Sequence, residues 1–252
     1  VLRIIDARTG EPVVAAPVRR GLTRVEAHAS GYGAGSLRIL LVADLLVRAL
    51  ELGGTPVWAL LSGEREQAEL RAGATALGTH PFEDGRDPGA GAGVGEAQIL
   101  HVVGEQGAAP DGVRVAVAPA QGTVPGGRGA GSAAERAATD HAVLRFALLS
   151  RPRTEPVRLD EDALGEARDT LARWRRAVAD WARHPSRPVP DEVRARLRSA
   201  WEDDLDLPGV LRILRGVEDA GPELPEGARF ETYAYADRLL GLDLLRGVGA
   251  PA

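Results

Sequence analysis

Residues 24–54 read RVEAHASGYGAGSLRILLVADLLVRALELGG, and the order of signals in this stretch decides the fold. Arg24–Ala29 is a short strand that runs into the glycine-rich turn Gly31–Gly35. Ser36 then stands where a helix N-cap belongs. Apolar residues carry the helix to about Glu51, and Gly53-Gly54 supplies the stop signal. A strand, a tight turn and a helix in succession open a βαβ unit.

The flanks extend the same pattern. Leu2–Asp6 is a strand, closed by a turn at Thr9-Gly10-Glu11-Pro12. Pro56–Leu61 is a strand and Glu64–Leu77 a helix, while Ala97–Val103 and Val113–Ala118 are two further apolar, β-branched strands. Strands alternating with helices, several of them continuous apolar runs, predict an α/β protein with a parallel sheet covered on both faces. His80–Gly95 and Pro119–Gly131 are rich in Gly, Ala and Pro and are expected to be loops.

From Thr139 onward the period changes from strand to helix. Leu164, Ala167, Leu171, Trp174, Val178 and Trp181 share one helix face, and Val193, Leu197 and Trp201 share another. Val210, Ile213, Leu214 and Val217 mark a third helix and Tyr233–Leu245 a fourth. Short turns bearing Pro or Gly join them as neighbours in a bundle. The expected division is a Rossmann-like core over residues 1–138 and an α-helical bundle over 139–252.

Composition narrows the chemistry. All 31 basic residues are Arg, so there is no Schiff-base or P-loop lysine, and with no Cys there is no disulfide, thiol nucleophile or cysteine-based zinc site. A net charge of −5 argues against broad nucleic-acid binding. No secretory leader and no bilayer-length apolar run is present, so a cytoplasmic location away from membranes is expected.

Four stretches, in the right order, resemble cysteinyl-tRNA synthetase and its sister family, the cysteine ligases of mycothiol synthesis. Leu2–Asp6 with Thr9-Gly10-Glu11 resembles the family's first strand and turn, and Gly35–Arg38 with Asp44–Arg48 and Leu52-Gly53 resembles its HIGH-motif helix. Ala142–Ser150 is similar to the DALRFALLS segment and Asp203–Pro208 to the DDLNTP segment. The resemblance implies a class I synthetase core with an appended bundle. It also exposes departures. Gly33 and Ser36, with Ala34 and Gly35 between them, stand at the HIGH positions, where the family's two His stabilise phosphate charge. The KMSKS loop falls on Gln121-Gly122-Thr123-Val124-Pro125, without lysine. His28 stands at the first position of the family's zinc set, and the sequence offers no companions for it. No anticodon-binding domain is expected.

The turn Gly31–Gly35 has two readings: a phosphate cradle at a helix N-terminus, or a tight turn left when the motif decayed. On the first, a degenerate nucleotide site comprises Gly33, Ala34, Gly35, Ser36, Arg38, Gly122, Thr123 and Arg128. The expected partner is a nucleotide or an aminoacyl-adenylate-like small molecule, with weak ATP binding, no zinc and no tRNA. Asp203, Asp204 and Asp206 read as helix-capping residues, and Trp174, Trp181 and Trp201 as core. The functional expectation is a synthetase-like binding or regulatory paralogue that does not aminoacylate, with an amino-acid-activating ligase for a non-tRNA acceptor as the rival.

Overall fold

The computed structural model describes residues 1–17, 22–85, 96–124 and 140–249. Its centre is a five-stranded sheet, all parallel, built from β3 (Leu22–His28), β4 (Val57–Ser62), β5 (Glu83–Asp84), β6 (Glu96–Gly104) and β7 (Val113–Val117). The spatial order is β5-β4-β3-β6-β7, so the chain winds outward from β3 in one direction and then restarts on its other side at β6. The reversal between β3 and β6 is the topological switch point of the sheet. In open α/β sheets, the strand ends at such a point form the ligand crevice.

β3 explains how the sheet is oriented. Val25 and Ala27 are fully buried, whereas Arg24, Glu26 and His28 alternate with them and project from the opposite face. α1 (Ala34–Leu52) packs across β3, β6, β4 and β7. It is also covered by α7 (Glu226–Leu240), so Leu37, Leu40, Leu41, Leu45 and Leu46 are buried all around it. The helix begins earlier than the sequence suggests. Gly33 occupies the cap position with no side-chain bond, and Ser36 lies inside the first turn. α2 (Gln67–Ala76) follows β4.

β1 (Arg3–Ile5) stands apart from the parallel sheet, paired antiparallel with β2 (Pro12–Val14) around the expected turn. Besides β2, three short strands were invisible to pattern reading. β5 lies inside the expected loop 80–95, β8 (Ala120–Gly122) lies inside the expected loop 119–131, and β8 pairs in parallel with β9 (Val157–Leu159). Each is two or three residues long, too short to show a period of two. The boundary near 139 falls outside the described residues.

The helical part comprises α3 (His141–Leu149), α4 (Glu161–Trp181), α5 (Asp191–Glu202), α6 (Leu207–Asp219) and α7. Trp174 is fully buried, edge-on to Phe146 and Tyr233 with ring centroids 5.6 and 5.4 Å away. Its Nε1–H donates to Glu218 at 2.8 Å. Trp181 and Trp201 are buried as expected, and Asp206 caps α6 by accepting from Gly209 N–H at 2.9 Å. We expect Trp174→Ala to cost about 3–5 kcal/mol by denaturant titration, and Trp174→Phe clearly less. Equal losses would mean that the indole bond to Glu218, rather than packing, carries the effect.

Candidate functional site at the β3/β6 switch point

The turn after β3 is held closely. Gly31 has φ +80°, in the left-handed region, and its N–H reaches Arg65 O at 3.4 Å. A side chain at Gly63 would put its Cβ 1.9 Å from Ala29 O, so the ends of β3 and β4 meet at a distance only glycine permits. Gly35 faces β8: a Cβ there would lie 3.9 Å from Ala120 O, its nearest neighbour. The structure therefore sets the turn at Gly35 beside β8, the strand that ends at Gly122. Thr123 is exposed and Val124 is buried.

Two findings change the reading of this turn. Arg38, expected to reach a ligand, is 1% exposed and spends its guanidinium on the chain itself. It donates to Ala118 O at 2.9 Å, Glu155 O at 2.6 Å and Pro152 O at 2.8 Å. Burial pushes its pKa down to about 10, with nearby Glu155 opposing the shift, so at neutral pH it is a charged brace for the strand ends. Arg128 lies outside the described residues. The second finding is Glu66, whose carboxylate accepts from Tyr32 N–H at 2.6 Å at the mouth of the turn. An internal anion thus stands beside the helix N-terminus where a phosphate is favoured.

A separate cluster spans the switch point on the polar face of the sheet. Glu26 and His101 are direct cross-strand partners, and His28 is two residues along β3 from Glu26. His28 Nε2 and His101 Nδ1 are 2.9 Å apart, and the Glu26 carboxylate lies 3.9 Å from the first and 3.7 Å from the second. His101 Nε2 sits 3.2 Å from Asp111 O, and a carbonyl only accepts, so Nε2 carries the proton and Nδ1 is the acceptor. Ser62 Oγ–H donates to Glu26 Oε1 at 2.5 Å, and Arg24 donates to Oε2 at 3.3 Å. Burial lowers the pKa of both His rings, against the opposing pull of Glu26. The expectation of no zinc rested on His28 standing alone and on the absence of Cys. Glu26 and His101 stand beside His28, so the first of these grounds no longer holds.

The stretches that carry the family resemblance meet in buried charged contacts away from the strand ends. Asp44 of α1 is fully buried and accepts from Arg145 of α3 at 2.7 Å, from Arg48 at 2.8 Å and from His80 Nδ1 at 2.8 Å. Asp204 accepts from Ile5 N–H at 2.9 Å and from Arg153 at 2.5 Å. The first strand, the HIGH-like helix, the DALRFALLS-like helix and the DDLNTP-like loop are therefore joined pairwise.

No protein-family model matches the chain. It is 34% identical over 116 residues to L-cysteine:1D-myo-inositol 2-amino-2-deoxy-alpha-D-glucopyranoside ligase of Streptomyces griseus, covering 45% of this chain and 27% of that protein. The ligase of the same description from Streptosporangium roseum is 35% identical over 112 residues, covering 43% and 26%. That from Thermobispora bispora is 40% identical over 75 residues, covering 30% and 18%. The chain thus spans about a quarter of the length of the first two. These relatives are cysteine ligases, the second of the two sister families that the sequence resembles.

Proposed function

We propose that this chain is a relative of the class I synthetase-type cysteine ligases that keeps their scaffold but not their nucleotide-activating apparatus, and serves as a binding or regulatory protein. The observation that carries this reading is the contrast between the two sets of charged groups. The shared stretches are locked together by Asp44–Arg145 and Asp204–Arg153. At the phosphate end, Gly33 and Ser36 replace imidazoles, Arg38 is consumed by backbone carbonyls, and Glu66 adds negative charge. The ligand class that suits the remaining turn is a nucleotide or an aminoacyl-adenylate-like molecule, bound weakly through helix N–H groups.

Thermal-shift and calorimetric titration with ATP test this. We expect binding on the order of 0.1–1 mM, or weaker. A carboxylate at about 5 Å from a phosphate charge costs roughly 1 kcal/mol even at the dielectric of water, so Glu66→Gln should strengthen ATP binding about fourfold or more. Gly35→Val should abolish that binding and leave the fold intact, because the nearest atom to a new Cβ is 3.9 Å away. Unchanged affinity in both variants would place any nucleotide elsewhere.

A second reading is an amino-acid-activating ligase for a non-tRNA acceptor. The name of the relatives and the position of Gly122 and Thr123 beside α1 favour it. The two readings part on whether ATP is cleaved.

A further inference from the structure

We propose that Glu26, His28 and His101 form a binding site for one zinc-like divalent transition cation, held by two imidazole nitrogens and a carboxylate. The three ligand atoms lie within 4.8 Å of one another. Zinc takes nitrogen ligands at about 2.0–2.1 Å, which at tetrahedral angles puts ligand atoms roughly 3.3–3.4 Å apart. The two nitrogens are 2.9 Å apart, and Glu26 reaches His28 Nε2 through Oε1 at 3.9 Å and His101 Nδ1 through Oε2 at 3.7 Å. Seating an ion requires the two rings to part by about half an ångström and the carboxylate to turn one oxygen toward both nitrogens, within side-chain torsional freedom.

The surroundings prepare the ligands. The Asp111 carbonyl holds the His101 Nε2–H, leaving the Nδ1 lone pair aimed at His28, the arrangement by which metal-binding imidazoles are oriented. Ser62 orients Glu26, and a carboxylate keeps free lone pairs after accepting one bond per oxygen. In the metal-free state, His28 Nε2–H donates to His101 Nδ1. The neutral His28 ring carries a single proton, so when the ion binds Nε2 that proton moves to Nδ1 and the ring stays a neutral ligand. The His28 side chain is 21% exposed, which gives an entry path and a fourth position for water. Arg24 opposes the added positive charge and moderates affinity. The set has no thiolate and only one carboxylate. It therefore suits zinc, cobalt or nickel over magnesium and calcium, which require oxygen ligands. This inference is independent of the nucleotide reading above, because the cluster stands whether or not ATP binds.

The test uses the untagged, chelator-treated chain, titrated with Zn²⁺ by calorimetry and with Co²⁺ by visible absorption. We expect one ion per chain with Kd below about 10 μM, four-coordinate cobalt bands, and no uptake of Mg²⁺ at about 1 mM. His28→Gln and Glu26→Gln should each weaken Zn²⁺ binding by about a hundredfold or more, above what loss of a supporting contact costs. His184→Gln, at an exposed His–Glu pair 2.7 Å across on the bundle, should leave it unchanged. Circular dichroism of each variant verifies the fold. Absence of Zn²⁺ and Co²⁺ binding up to about 0.1 mM, or undiminished binding in both His28→Gln and Glu26→Gln, overturns the proposal.

Discussion

Replacing Asp44 with Ala is expected to destabilise the protein by about 3–5 kcal/mol, enough to unfold a marginal domain. Asp44 is fully buried in α1 and satisfies Arg145, Arg48 and both the ring and backbone N–H of His80. Arg145 is itself fully buried and also donates to Leu77 O and Leu240 O, so it fastens α3 to α1 and to the end of α7. Removing the carboxylate leaves a guanidinium in the interior without its counter-charge, and that uncompensated charge accounts for most of the loss. Asp44→Asn should be costly too, since an amide offers a donor where three donors already converge. Denaturant titration of both variants checks this, and a loss below about 1 kcal/mol for Asp44→Ala would show that the network is incidental.

The same carboxylate sets an acid limit. Burial alone would raise the Asp44 pKa, but the bonds from His80 and the charges of Arg145 and Arg48 outweigh it and hold the carboxyl well below the usual range. A folded pKa below the unfolded value means the unfolded chain binds the proton more readily. Stability from this group is therefore complete above the unfolded pKa of about 3.9, and is lost as pH falls toward the folded value. Asp44→Asn should flatten that part of the acid-unfolding curve.

The parallel sheet, its strand–turn–helix opening and the bundle were readable because each rests on a long period. α1 and α4 run for 19 and 21 residues, and β3 and β6 for seven and nine. β5, β8 and β9 are defined by long-range pairing and left no local trace. At the site, neither the approach of Gly35 to Ala120 nor the fate of Arg38 was legible. A residue adjacent to a binding turn along the chain need not face it, and the carbonyls that capture Arg38 come from residues about 80 to 117 positions away. Glu66 was missed for the same reason, because it lies 34 residues from Tyr32. The metal-type cluster did leave a signal. Glu26 and His28 are spaced for one face of a strand, and His101 interrupts an otherwise apolar strand. What hid the cluster was the pairing of β3 with β6, which no sequence period specifies.

The central claim, a ligase-type scaffold that no longer activates an amino acid, is tested most directly by pyrophosphate exchange. In activation, a substrate carboxylate attacks the α-phosphorus of ATP and pyrophosphate departs. Charge building on the phosphates must be met by preorganised donors, each worth about 2.7–4 kcal/mol. On the proposed reading, Gly33 and Ser36 stand where the family has two imidazoles, and the sequence holds no lysine to serve the loop at Gly122 and Thr123. Two such losses together lower the rate by roughly 10⁴-fold or more. The measurement is incorporation of labelled pyrophosphate into ATP by the purified chain with L-cysteine and, separately, each other amino acid. An active cysteine ligase is assayed alongside. The account predicts exchange at the no-enzyme background in every case; amino-acid-dependent exchange within about a hundredfold of the active ligase would contradict it and favour the ligase reading.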